Sequence, residues 1–216
     1  MRRTVAEFVG APAALAIIGL LSGGPVQAKD ADEWFLQVTP FAGYRFGGSF
    51  EDKDTGQTFD LEDEPAVGVS INFPATPETE WEIYYSRQST EIFVGGPTTE
   101  SPSLDISYYH LGGTYLFDEQ GASQPYFVAT LGVAHYDPKS SQYRSDNFFS
   151  FAAGGGWKFF PNRRLGLRLD GRFIGTFIDS NAKIFCQSSG GATCVVNVKG
   201  DILWQFEASA GVIVRF

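Results

Sequence analysis

The chain has 216 residues and a formal net charge of −9, with 20 Phe, 9 Tyr, 4 Trp and 25 Gly beside a single Met. So many aromatic and apolar residues exclude a disordered chain, and a mean hydropathy of −0.10 excludes a bundle of transmembrane helices. The acidic balance argues against a nucleic-acid partner, since phosphate binding needs a basic face.

Residues 1–28 follow the plan of a secretory signal: Arg2 and Arg3, an apolar stretch from Ala11 to Leu21, then Val26-Gln27-Ala28 before a cleavage point. Losing Arg2, Arg3 and Glu7, together +1, leaves a mature chain 29–216 of charge −10. From there, alternation with period two recurs, and no window keeps helical spacing for long. Phe35 to Phe46 sets Leu36, Val38, Pro40, Ala42, Tyr44 and Phe46 against Gln37, Thr39, Phe41, Gly43 and Arg45. The connection Gly47 to Glu64 carries Glu51, Asp52, Asp54, Asp60, Glu62, Asp63 and Glu64 against Lys53. Its Asp52-Lys53-Asp54-Thr55-Gly56 stretch has neither the glycine nor the closing glutamate where a calcium loop needs them, so a solvated acidic loop and no metal site is predicted.

Pro65 to Phe73 opposes Val67, Val69, Ile71 and Phe73 to Ala66, Gly68, Ser70 and Asn72; Thr79 to Val94 opposes Trp81, Ile83 and Tyr85 to Glu82, Tyr84, Ser86 and Gln88. Leu104 to Phe117 changes phase near Tyr108, and Pro125 to Asp137 is apolar on both faces. Asn147 to Phe160 sets Phe149, Phe151 and Trp157 against Ser150, Ala152 and Lys158; Leu165 to Ile178 sets Leu165, Leu167, Leu169, Phe173 and Phe177 against Arg168, Asp170, Arg172 and Ile174. In the last connection, Asp179 to Gly200, the two cysteines Cys186 and Cys194 of an exported chain are expected to form a disulfide, worth roughly 2 to 3 kcal/mol in the chain-entropy model. From Ile202 to Phe216 every even residue is apolar, while the odd face holds Gln205, Glu207, Ser209 and Arg215.

Eight such strands, joined by alternately long and short connections, predict an all-β, eight-stranded antiparallel up-and-down barrel in an outer membrane, with short periplasmic turns and four long loops outside. Tyr44, Phe46, Phe73, Trp81, Tyr115, Phe117, Trp157, Phe159 and Phe216 fall near strand ends, where aromatic girdles belong. Because eight strands leave a bore just filled by side chains, the inward charges Arg45, Glu82, Lys158, Arg168, Asp170, Arg172, Glu207 and Arg215 are expected to form a paired network plugging it. In that network Glu207 is expected to meet Arg168 or Arg172.

The terminal alternation Val212, Val214, Phe216 resembles the carboxyl-terminal signature of bacterial outer-membrane proteins, which implies recognition by the barrel-assembly machinery. The whole mature chain is similar to small barrels of the OmpA/OmpX-like superfamily, including Tyr109-His110-Leu111-Gly112-Gly113-Thr114-Tyr115. That resemblance implies a monomer in contact with outer-membrane lipid and lipopolysaccharide, without a cofactor, and its looseness leaves the role open. A structural role with loops presented to a surface partner is expected first. A narrow channel or hydrophobic-ligand conduit of the OmpW kind comes second, and a lipid-modifying enzyme third. No catalytic residues are assigned: Ser107 and His110, three apart on a strand, should face opposite ways, which breaks the base–nucleophile contact that a deacylase needs. His135 is expected at an interface beside Tyr136.

Overall fold

The computed structural model describes residues 34–51, 58–93, 103–118, 122–139, 145–178 and 201–216. The expected signal, the Cys186–Cys194 pair and residues 52–57 of the acidic first connection lie outside them. Among the described residues there are ten strands: β1 (Gln37–Phe46), β2 (Ser49–Glu51), β3 (Thr58–Leu61), β4 (Glu64–Pro74), β5 (Thr79–Phe93), β6 (Ser103–Leu116), β7 (Ser123–Pro138), β8 (Asp146–Phe159), β9 (Leu165–Ile178) and β10 (Asp201–Arg215). Eight of them close a barrel in the order β5-β4-β1-β10-β9-β8-β7-β6, with β6 returning to β5. Closure gives every strand two hydrogen-bonded neighbours, which a bilayer demands of any sheet within it. The seam between the chain ends pairs Gln37 with Arg215, and beside it Phe35 N donates to Phe216 O and Phe216 N to Leu36 O, both at 2.9 Å.

The first connection holds more structure than an acidic loop. Strands β2 and β3 form a hairpin whose second strand extends the sheet beyond β5, through Asp60↔Phe93 and Leu61↔Ile92. The chain enters this hairpin at Gly47 and Gly48, whose φ of 76° and 106° favour glycine. Asp63 Oδ1 accepts from Gly47 N at 2.8 Å and holds the turn.

Period-two alternation places side chains as expected on most strands. All nine girdle aromatics are exposed, and so are Leu111, Leu131, Leu167 and Leu169 between them. An apolar exterior this continuous belongs in a bilayer rather than in water. The described ends at Trp34 and Phe216, the turns 75–78 and 160–164 and the described residues 117–118 and 122 share one end, the periplasmic one by the short-turn rule.

Strand β6 corrects one expectation. No phase break occurs at Tyr108: Leu104, Ile106, Tyr108, His110, Thr114 and Leu116 all face inward, and Tyr109, Leu111 and Tyr115 all face out. What inverts is the polarity. Toward the periplasm the inside is polar and the outside apolar; toward the extracellular rim the inside is a core of Leu61, Leu104, Ile106, Tyr136, Phe148 and Leu203. The outside there carries Arg87, Ser89, Asp105 and Asn147. Asp105 accepts from Ser89 Oγ at 2.5 Å and from Arg87 Nη2 at 2.6 Å, with Lys139 Nζ at 3.3 Å. Burial pushes this carboxyl up, but those hydrogen bonds and the Arg87 charge outweigh it and hold the group below its ordinary value. Toward the extracellular rim, strands β5 to β8 therefore turn a polar outer face away from an apolar core.

Candidate functional site in the lumen

Three clusters of charge fill the lower and middle bore. At the top, Arg45 and Glu207 face each other across the β1–β10 register, and Arg45 Nη2 lies 2.6 Å from Glu207 Oε2. Arg45 Nη2 also donates to Ser86 Oγ at 2.5 Å, Ser86 Oγ donates to Glu207 Oε2 at 2.9 Å, and Tyr84 OH donates to the other Glu207 oxygen.

Below them four residues close a ring. Arg168 Nη2 lies 2.8 Å from Glu82 Oε2 and 2.9 Å from Asp170 Oδ2; Arg172 lies 2.8 Å from Glu82 Oε1 and 2.5 Å from Asp170 Oδ1. Each carboxylate thus bridges two guanidinium groups. Further bonds from Arg168 Nη1 reach Ser70 Oγ at 3.0 Å and Asn72 Oδ1 at 3.2 Å, and Tyr126 OH donates to Asp170. At the periplasmic end Lys158 Nζ pairs with Glu80, and Gln37 Oε1 accepts from the same nitrogen at 3.1 Å.

Burial on this scale is tolerable only because each charge has an opposite partner and further hydrogen bonds. Tyrosines complete the arrangement: Arg45 lies 4.7 Å from the Tyr108 ring centroid, Arg168 4.8 Å from Tyr126 and Arg172 4.2 Å from Tyr84. The space left among Phe41, Ser70, Tyr84, Arg168, Asp170 and Arg172 is a cavity of about 10 Å³, the size of one water.

All eight predicted charges face the lumen, and the geometry corrects three details. Glu207 pairs with Arg45 on β1, not with Arg168 or Arg172, although Arg172 is its register partner on β9. Arg172 turns instead to Asp170, two residues away on the same face, and across the bore to Glu82. Glu80 was absent from the expected set, yet it is 2 % exposed and neutralises Lys158. The period-two phase that selected Glu82 also selects Glu80. Arg215 is half-buried and lies outside the ion pairs: its guanidinium sits 3.3 Å from the Phe160 centroid and 5.2 Å from that of Trp34, and donates to Gln124 Oε1 at 3.4 Å. With Glu80 counted, four acids meet four bases, and Arg215 with its two rings caps the periplasmic mouth.

Histidines and small residues fall as follows. Ser107 and His110 point to opposite faces of β6 as expected. His110 is inward, its Nδ1 3.1 Å from Thr130 Oγ1, and the facing Gly132 leaves room for its ring. His135 is outward, with Nδ1 2.8 Å from Asn147 Oδ1. Val212 and Phe216 are exposed on the lipid-facing side of β10, with Val214 between them. Among the described residues no group of His, Cys, Asp and Glu has the arrangement of a metal site.

A closed eight-stranded barrel with an apolar exterior and a charge-filled bore defines a small outer-membrane β-barrel protein. Solved structures agree on the fold: the chain is similar to Neisserial surface protein A (17% identity, 84% of this chain and 97% of that one, TM-score 0.56). It is also similar to the outer membrane protein OprG from Pseudomonas aeruginosa (15%, 86% and 98%, TM-score 0.53) and to the outer membrane protein AlkL studied in lipid bilayers (14%, 90% and 97%, TM-score 0.52). No protein-family model and no curated protein sequence matches the chain.

Proposed function

We infer that the protein is a non-enzymatic, non-conducting surface barrel whose closed body supports the envelope and presents its long extracellular connections as a contact platform. One observation carries this reading: the bore is shut over three successive levels, Arg45–Glu207, the Arg168–Glu82–Arg172–Asp170 ring and Lys158–Glu80. The separation of Ser107 from His110 supports a non-enzymatic role. On this reading the last connection is clamped by a Cys186–Cys194 disulfide, the rim acids meet divalent cations and lipopolysaccharide, and Val212, Val214 and Phe216 serve barrel assembly. A hydrophobic-ligand conduit is the second reading, favoured by the apolar extracellular half of the lumen. Its ligand would have to leave sideways, through a wall hydrogen-bonded all round.

Planar-bilayer recording of refolded protein tests the choice. No steady unitary conductance is expected, and Glu207→Gln should leave the trace unchanged. A reproducible conductance that Glu207→Gln alters would overturn the plugged reading. Uptake of a hydrophobic solute into proteoliposomes would favour the conduit.

A further inference from the structure

The lipid-facing wall is not equally tall all round. From Trp204 to Phe216 every outward residue of the last strand is apolar, and on β9 every one from Leu165 to Phe177 is apolar or glycine. On β5 the outward series Trp81, Ile83, Tyr85 gives way to Arg87 and Ser89. On β6 Leu111 and Tyr109 give way to Ser107 and Asp105.

Register fixes which of these positions lie level. Followed round the wall from Gln88 on β5 through Ala66 and Gly43, and on by Tyr126 and Leu116, the pairing returns to β5 at Glu78, ten residues nearer the periplasm. A level line therefore climbs against the pairing by about one and a quarter residues per strand. Arg87 pairs through Val67 and Ala42 to Ala210, so three strands on its level point falls near Phe206. Two residues either way, Ser89 is level with Trp204 and Tyr85 with Ala208. At one height, then, β10 turns aromatic rings outward while β5 turns out a guanidinium and a hydroxyl.

The periplasmic edge is level. Phe117 pairs through Pro125, Trp157 and Leu169 to Ala210, and four strands on it comes level beside Phe216. A tilted barrel would displace both edges together; here only the extracellular edge differs, so the wall itself is shorter on one side. At about 3.3 Å per residue and a tilt of about 45°, the apolar band is roughly 28 Å tall from Trp204 to Phe216 and roughly 19 Å from Tyr109 to Phe117. Such bands are ordinarily about 25 Å. Above the short side, Arg87 and Lys139, both half-exposed, are tied to Asp105, which also accepts from the Ser89 hydroxyl. Hydrocarbon cannot solvate that cluster.

We propose that the outer leaflet is thinned along the β5–β6 wall, its headgroups descending to the level of Arg87, while hydrocarbon stays against Phe206 and Trp204 across the barrel. A short apolar wall draws the bilayer down to meet it. The headgroup layer is the occupant because the ion cluster passes directly below into the outward rings of Tyr85 and Tyr109, 5.0 Å apart between centroids, as interfacial tyrosines lie beneath headgroups. None of this depends on whether the bore conducts.

Tyr85→Trp and Ala208→Trp, each in a protein whose four native tryptophans are phenylalanine, place one reporter at the same height on each wall. Both are reconstituted into phosphatidylcholine vesicles brominated either near the glycerol end or near the methyl end of the acyl chains. The Tyr85→Trp indole should lie nearer the headgroups by roughly 5 Å, half the difference between the walls, since barrel and bilayer share the adjustment. Adding Arg87→Leu, Ser89→Leu and Asp105→Leu extends the apolar wall upward and should bring the two reporters to equal depth, with the heat-dependent gel shift of a folded barrel kept. Equal depths before those changes, or a difference that survives them in a folded protein, would overturn the proposal. So would a Tyr85→Trp indole shielded from every brominated lipid in a protein that cross-links as a dimer, because a second copy would then cover the short wall.

Discussion

Replacing Glu82 by alanine is expected to destabilise the barrel by about 3–5 kcal/mol, because it leaves buried charge uncompensated. Glu82 bridges Arg168 and Arg172, and it is fully buried. Without it, the two guanidinium groups share Asp170 alone in a low dielectric. Equilibrium unfolding in urea from lipid vesicles, followed by tryptophan fluorescence, measures the loss. A companion variant, Glu82→Met with Arg168→Met, removes one charge of each sign and keeps Arg172 paired with Asp170. It should recover most of the loss, since replacing a buried pair by apolar groups of similar volume is often close to neutral. If Glu82→Ala unfolds at the parent's urea concentration, the ring contributes nothing to stability.

The second large effect tests where the bilayer ends. Leu111 on β6 and Ser89 on β5 both point outward and are exposed, Ser89 lying at the polar rim. Leu111→Arg, between the girdles, should cost about 2–4 kcal/mol, and Ser89→Arg, above the polarity inversion, about 0–1 kcal/mol. The same unfolding titration reads both. Equal costs would mean that the inversion near Tyr108 does not mark the membrane boundary.

Much of this architecture was legible in the chain, for a physical reason. A strand in a barrel wall faces lipid on one side and the bore on the other, so each residue declares its side by parity alone, as in β9 and β10. Aromatic positions followed by the same logic. Partners were less legible, because parity says which way Glu207 points but not how far round the bore its neighbour sits; that depends on strand stagger, which placed Arg45 beside it. Glu80 lay inside the expected strand, which began at Thr79, but the inward set was read only from Glu82 onward. The inward tyrosines Tyr108 and Tyr126 were hidden where the polarity signal inverts or where both faces are apolar. The hairpin β2–β3 lay in a segment whose acidity reads as loop.

The charge ring also has a mechanical meaning. Strands β5 and β9 stand diametrically opposite in the eight-membered order, and Glu82 on one is tied to Arg168 and Arg172 on the other. Lys158–Glu80 and Tyr84–Glu207 span three strands each. These side chains are cross-struts. A hydrogen-bonded cylinder alone can ovalise under uneven lateral pressure, because shearing its ladders slightly costs little. A strut across the diameter resists that flattening in both senses, since squeezing drives the ions past contact and stretching pulls them apart in a medium where separated charge is costly. The cross-section is thereby kept round, and the loops above it keep their spacing.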